Sequence, residues 1–282
     1  MKKNTLKERK MTKIISICNQ KGGVGKTTTT INLGVGLAGA GFRVLLIDAD
    51  SQANLTTAMG FDPEEVTFGL PEVIDGIINE QEFVTTDAVL SHKEGVDILP
   101  SHIGLSNTEV RIFSAMNRER LLRTYLEKIK YEYDYILIDC MPSLGMMTIN
   151  ALTASDSVII PCQPHYLSAR GLEQLSHTIA KVKRYMNPDL RIEGILLTMV
   201  DNRGKFVKEI SSLLRSQYGE SINIYKSEIP LSVRAAESSA EGRSIYAHDK
   251  FGKVANAYKE LTKEVIHGAE NKRRKNKAEN VR

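Results

Sequence analysis

Two lysines separated by a run of glycines and followed by threonines give this chain its clearest chemistry: Lys21-Gly22-Gly23-Val24-Gly25-Lys26-Thr27-Thr28. A Gly-rich turn that opens a helix aims backbone N–H groups and the positive end of the helix dipole at one point, where a polyphosphate can sit. Lys26 supplies a point charge for the outer phosphates, and Thr27 a hydroxyl for Mg²⁺. One position departs from the usual spacing. Gln20 stands where a phosphate-binding loop normally begins with glycine, and a second lysine, Lys21, follows it. Three acids join the loop as candidates. Asp48 and Asp50 follow an apolar run, and Asp139 ends another.

The elements that must position these residues can be read from hydrophobic periodicity. Lys13-Ile-Ile-Ser-Ile-Cys18 reads as a short apolar strand, and Ile31, Val35 and Ala38 fall at helical spacing over residues 28 to 40. Phe42 to Asp48 is apolar nearly throughout, as a parallel strand buried on both faces requires. Strand, Gly-rich loop, helix and strand make a βαβ unit, which puts Asp48 and Asp50 at the carboxyl end of a strand, where open α/β sheets hold ligands. Further strands are expected at Val96–Leu99, Tyr133–Asp139, Ser157–Pro161 and Arg191–Val200. Amphipathic helices are expected over 118 to 130, 172 to 186, 205 to 218 and 249 to 267, with a possible one from Leu70 to Asn79. An acid ending an apolar strand well downstream of a phosphate loop fits a carboxylate that holds Mg²⁺ through water.

The fold class these readings imply is α/β: a single P-loop NTPase domain with a central, mostly parallel twisted sheet and helices on both faces. The domain is expected over 13–268, with a basic extension at 1–12 and a basic, disordered tail at 269–282. The net charge of +4 conceals an asymmetry: residues 1 to 13 carry +5 and residues 272 to 282 carry +5, which leaves −6 on the rest. A nucleic-acid partner would therefore be held by local patches and by the tails. No apolar run approaches the roughly 20 residues that span a bilayer, so a cytoplasmic location is expected. Cys18, Cys140 and Cys162 follow no metal or redox spacing and read as buried reduced thiols near strand ends.

With these residues on the page, the chain resembles the ParA branch of the ParA/MinD-like ATPases, whose deviant Walker A motif is Lys-Gly-Gly-x-Gly-Lys-Thr-Thr. The resemblance extends over roughly residues 12 to 266. It includes Leu46-Ile-Asp-Ala-Asp-Ser-Gln-Ala-Asn54, Asp139-Cys-Met-Pro-Ser-Leu-Gly145, Ile160-Pro-Cys-Gln-Pro164 and Ile229-Pro-Leu-Ser-Val-Arg234. It implies ATP and Mg²⁺ as cofactors and a nucleotide-sandwich homodimer in which Lys21 reaches the partner's ATP. Gly22, Gly23, Val24 and Gly25 would then cradle phosphate, with Lys26 and Thr28 binding it and Thr27 and Asp139 serving the metal. Asp50 would position the attacking water, assisted by Asp48, and Pro230 would contact adenine. Arg203 and Arg234 stand where the resemblance places DNA-contacting arginines. The implied partners are non-specific double-stranded DNA and a ParB-type centromere-binding protein, with the ATPase nucleoid-associated and slow without its activator.

Two motifs depart from the family pattern. Ser51 and Ala53 replace Pro and Gly in Asp-x-Asp-Pro-Gln-Gly-Asn, and Met141 replaces the first of two prolines after Asp139. No lysine or carboxylate is lost by either change. A MinD-like membrane switch is the alternative, but it needs a C-terminal amphipathic helix, and Val281 is the only sizeable apolar residue of the stretch 271–282, so no stable membrane association is expected. An iron–sulfur or metabolic relative needs paired cysteines or a substrate motif that the sequence does not display.

Overall fold

The computed structural model describes residues 11–164, 168–201, 205–219 and 221–279. Eight strands build one sheet: β1 (Lys13–Ile17), β2 (Val44–Ala49), β3 (Leu90–Ser91), β4 (Asp97–Leu99), β5 (Tyr135–Cys140), β6 (Ser157–Cys162), β7 (Arg191–Val200) and β8 (Ile224–Pro230). Around it lie α1 (Lys26–Gly39), α2 (Asn54–Ala58), α3 (Leu70–Ile78), α4 (Leu105–Ile112), α5 (Leu121–Ile129), α6 (Met146–Ala154), α7 (Ser168–Tyr185), α8 (Lys205–Tyr218), α9 (Val233–Ala240), α10 (Ile245–His248) and α11 (Lys253–Glu279). The strand order is β3-β4-β2-β5-β1-β6-β7-β8, parallel throughout except for the short β3 at one edge.

Period-two alternation of the strands builds two cores, one on each face. Along β1, Ile14 faces one layer and Ile15 and Ile17 the other; Leu45 and Ile47 of β2 and Ile136 and Ile138 of β5 join Ile14, while Leu46 and Leu137 join Ile15. Helices α3 to α8 cover the first face, and α1, α10 and α11 the second. Among the described residues no helix is long and apolar enough to cross a membrane.

Helix α1 lies close to its neighbours because Gly34 and Gly36 lack side chains. A methyl on Gly34 would run into Leu46 of β2, and one on Gly36 into Thr262 of α11 and, at 2.8 Å, the Tyr246 hydroxyl. This close packing holds the phosphate loop, directly before α1, against the sheet.

At its far end, α11 departs from the expected boundary. The helix runs past residue 268 to Glu279, without the break expected at 269. Once a helix is nucleated by packing, Ala, Lys, Arg and Glu propagate it readily, and cations near its carboxyl end complement the macrodipole. Residues 1–10 and Arg203 lie outside the described residues.

The α1 contact is testable. Gly34→Ala should destabilise the protein by about 1–3 kcal/mol in urea titration through overpacking against Leu46. Gly39→Ala, where a methyl meets open space, should cost nothing and gain up to about 1 kcal/mol of helix propensity.

Candidate active site

The phosphate loop leaves β1 at Cys18 and is pinned from three sides before α1 begins. Asn19 donates its side-chain amide to the Pro161 carbonyl at 2.6 Å, and its side-chain oxygen accepts from the Lys21 N–H at 2.9 Å. Thr198, near the end of β7, donates to the Val24 carbonyl at 2.8 Å, while Gln163 donates to the Gly23 carbonyl at 3.1 Å. Gly23 (φ 66°) and Gly25 (φ 83°) take left-handed conformations that a side chain would strain. Val24 is buried, whereas Lys21, Gly22 and Gly23 are exposed at the mouth. Lys26 is buried and donates its ammonium to the Lys21 carbonyl at 3.2 Å across the loop. The ammonium of Lys21 points out of the loop and donates to the Gln163 side-chain oxygen at 3.2 Å.

Parallel pairing of β2 with β5 sets Asp48 beside Asp139. Both are buried, with Asp50 close to them. Asp139 accepts from the Thr27 hydroxyl at 2.6 Å and, more weakly, from Thr30 at 3.4 Å. Burial above all, then the charge of Asp48, raises the Asp139 carboxyl to about 8, against the opposing pull of Thr27 and Lys26. Burial likewise lifts Asp48 to about 6. Both Asp48 oxygens serve the following loop: one accepts from Thr56 N–H at 2.8 Å and Thr56 hydroxyl at 2.7 Å, the other from Asp50 N–H at 3.2 Å. Asp48 thus positions the segment that carries Asp50. Asp50 in turn accepts from Gln52 N–H at 3.0 Å.

Carboxylates held together in a low-dielectric site call for a cation. No cluster of His, Cys, Asp or Glu among the described residues could hold a metal alone. The set present, one hydroxyl and nearby acids beside a phosphate loop, fits Mg²⁺, which binds through few protein ligands and completes its shell with phosphate and water.

A cleft of about 340 Å³ opens over Lys26, Thr27, Thr28 and Asp50. It adjoins a more apolar hollow of about 240 Å³ that shares Gly25, Thr28, Met199 and Ser239 with it. Pro230, Ile229 and Tyr258 line the hollow, which suits a flat heteroaromatic base. Helix α9 lines the same hollow with Ala235 and Ala236 and carries exposed Arg234, 3.9 Å from Glu237 on the same helix.

Two of these contacts escape a sequence reading because they join distant segments: Asn19 to Pro161 and Thr198 to Val24; the Thr56 contact to Asp48 spans only eight residues but matches no motif. The carboxylate of Glu109 on α4 is another, accepting from Met147 N–H at 3.2 Å at the start of α6. Cys18 and Cys140, remote in sequence, bring their sulfurs to 2.8 Å at adjacent strand ends, and burial pushes the Cys140 thiol up.

An AAA domain family matches residues 12–192. The sporulation initiation inhibitor protein Soj of Bacillus subtilis (strain 168) is 42% identical over 255 residues, covering 90% of this chain and 98% of Soj. The chromosome partitioning protein ParA of Caulobacter vibrioides (strain NA1000 / CB15N) is 39% identical over 256 residues, covering 90% of this chain and 94% of that one. The chain belongs to the ParA family of partitioning ATPases. Solved structures show how the ParA scaffold meets nucleotide elsewhere. A cobyrinic acid a,c-diamide synthase from Mycobacterium smegmatis with bound ATP analog and magnesium superposes with a TM-score of 0.79 at 32% identity, over 92% of this chain and 96% of that one. The septum site-determining protein MinD of Pyrococcus horikoshii, complexed with Mg-ADP, gives 0.71 at 27% identity over 90% and 96%.

The buried acids impose a pH dependence. Between about pH 4 and pH 8 folded Asp139 keeps a proton that the unfolded chain has lost, so its contribution to stability falls as pH rises through that window. Asp139→Asn should therefore raise the melting temperature of the nucleotide-free protein near pH 8 and flatten its decline from pH 5 to 8. The same substitution should abolish the extra stabilisation given by Mg-ATP, read in the same thermal scans.

Proposed function

We propose that this ParA-family ATPase is an ATP-dependent dimer switch that grips DNA without sequence preference, and that ATP hydrolysis, accelerated by a ParB-type centromere-binding partner, releases the grip to partition DNA. The observation that carries this reading is the pair of lysines on one loop with opposite placements. Lys26 is buried under the cleft, while Lys21 stands exposed at its mouth. A cation presented outward next to a phosphate site is suited to another subunit's nucleotide, which makes assembly depend on ATP.

Within one subunit, the N–H groups of Gly22 to Thr28 and the Lys26 ammonium would hold the phosphates, Lys26 exchanging its contact with the Lys21 carbonyl for them. Thr27 and Asp139 would hold Mg²⁺, which supplies neutralisation of phosphate charge. Asp50 would orient the attacking water, with Asp48 and Thr56 fixing its loop. The base would lie against Pro230 in the apolar hollow. Because phosphoryl transfer asks for positioning and charge stabilisation, a lone subunit would be a slow enzyme. Arg234, carried by the helix that lines the base hollow, and Arg203 would contact DNA phosphates, giving a cytoplasmic, nucleoid-associated protein.

Asp50→Ala should bind ATP as tightly as wild type and hydrolyse it at least about a hundredfold more slowly; unimpaired turnover would remove Asp50 from the mechanism. Binding to a random duplex should require ATP rather than ADP, and Arg234→Ala should weaken it about threefold to tenfold at low salt while ATP-dependent dimers persist. Equal DNA binding with ADP, or capture by anionic liposomes in preference to DNA, would refute the partition reading in favour of a membrane-surface switch.

A further inference from the structure

One wall of the phosphate cleft is formed by the turn that follows Asp139, and that turn is held in place by a helix outside the site. Beyond β5 the chain passes through residues 141–145 before α6 begins, and Pro142 lines the cleft together with Lys26, Thr27 and Asp50. Pro142 is exposed and is the only proline in the turn. Two contacts brace the turn from within: the Gly145 N–H donates to the Ser143 hydroxyl at 3.2 Å, and the Thr148 hydroxyl donates to the Ser143 carbonyl at 2.8 Å. A third brace comes from Glu109 on α4. Its carboxylate accepts from the Met147 N–H at 3.2 Å, and a methyl on Gly145 would stand 3.3 Å from the same oxygen.

Helix α6 needs such a partner. The first N–H groups of a helix find no carbonyl within it. Gly145, at the N-cap of α6, has no side chain to accept from them, and no acid stands in the first turn. A carboxylate that accepts from the second helical N–H does the work of an N-cap side chain and meets the positive end of the helix dipole. Here that carboxylate arrives from 38 residues upstream. It is well placed to do so because α4 is itself anchored: Leu105 and Ile112 are buried in the first core, and Thr108 and Arg111 donate to Asp75 on α3 at 3.2 and 2.9 Å. Glu109 is half-buried. Burial raises its carboxyl pKa, the Met147 N–H pulls it down, and the charge of Asp50 raises it again. Glu109 therefore lies within electrostatic reach of the residue assigned to the attacking water.

We propose that Glu109 is a positioning residue for ATP hydrolysis: by holding the start of α6 it keeps the 141–145 turn, and Pro142 with it, at the wall of the cleft that Pro142 shares with Asp50. That role rests on the placing of water by Asp50 proposed above. Its effect falls on turnover rather than on affinity. The phosphate loop is pinned by Asn19, Gln163 and Thr198, and the base hollow is lined without any residue of α4 or α6, so the groups that would hold nucleotide stay in place when Glu109 is lost. Release of the turn would instead loosen the wall beside Asp50, and a misplacement of about 1 Å near the reacting atoms slows a reaction by up to about a hundredfold. The bond to Met147 asks only for an acceptor, so an amide oxygen at the same place preserves it.

The test follows phosphate release by the full chain over a range of Mg-ATP concentrations, well below every variant's melting temperature, so that a loss of stability alone leaves kcat unmoved. Glu109→Ala should lower kcat about tenfold with KM within about twofold of wild type, whereas Glu109→Gln should keep kcat within about twofold. Thr148→Val, which removes the bond to the Ser143 carbonyl, should lower kcat in the same manner. Combined with Glu109→Ala it should slow turnover by less than the product of the two separate effects, since both act through one turn. Wild-type kcat in Glu109→Ala overturns the proposal, as does a glutamine variant as slow as the alanine one, or a loss that appears in KM alone. Asp50→Ala, measured alongside, separates the two readings. Normal turnover there strikes the role of Asp50, and slow turnover there beside an unimpaired Glu109→Ala strikes the role of Glu109 alone.

Discussion

Holding Asp48, Asp50 and Asp139 together at the carboxyl ends of β2 and β5 is the constraint on which the nucleotide end depends. Parallel pairing makes Asp48 and Asp139 neighbours, and burial removes the water that would screen them. Uncompensated, such a cluster costs several kcal/mol. The compensation defines the site: the Thr27 hydroxyl at Asp139, Thr56 and the Asp50 N–H at Asp48, Lys26 within reach of the cluster, and protonation of Asp139 when no cation is present. Lys26 and Thr27 open α1, Thr56 lies in α2 and Asp50 in the loop before it, so meeting the electrostatic demand also fixes the start of α1 and the 50–56 segment relative to the strand ends.

The phosphate loop, the βαβ unit and the amphipathic helices were legible because their signals are local: glycines and lysines at set spacing, or apolar residues with a period. Helix α6 gave no such signal, since Met146, Met147, Ala151 and Leu152 are buried and their neighbours Thr148 and Asn150 are buried too, leaving no polar face to mark the period. Helix α4 and strand β8 were likewise unread; α4 exposes Val110, and Phe113 just beyond it, while β8 has only Tyr225 and Ile229 well buried. In the site, Asp139 could be found from the strand it ends, but Asn19 and Thr198 could not, because a threonine or asparagine that bonds a residue over a hundred positions away leaves no spacing to find. The extension of α11 to Glu279 was hidden by its charge, which reads as solvated chain when taken alone.

The two ends of the sheet therefore have separate electrostatic characters. The carboxyl end gathers acids and one phosphate loop, and its outward-facing Lys21 leaves room for a second subunit to complete the site, as proposed. The amino end is held by the buried Lys13–Glu193 pair. Between the base hollow and the surface, α9 puts Ala235 and Ala236 on the hollow and Arg234 outside, a short mechanical route from the nucleotide end to the DNA contact proposed for Arg234.

The central claim is that the loop is half of a site completed in trans by Lys21. It is tested most directly by sedimentation velocity of Asp50→Ala, in which hydrolysis is suppressed, against the double variant Asp50→Ala/Lys21→Ala, both saturated with Mg-ATP and with nucleotide binding checked by fluorescence. The account predicts a dimer for the single variant and an ATP-loaded monomer for the double. A double variant that dimerises as tightly as the single one would contradict it.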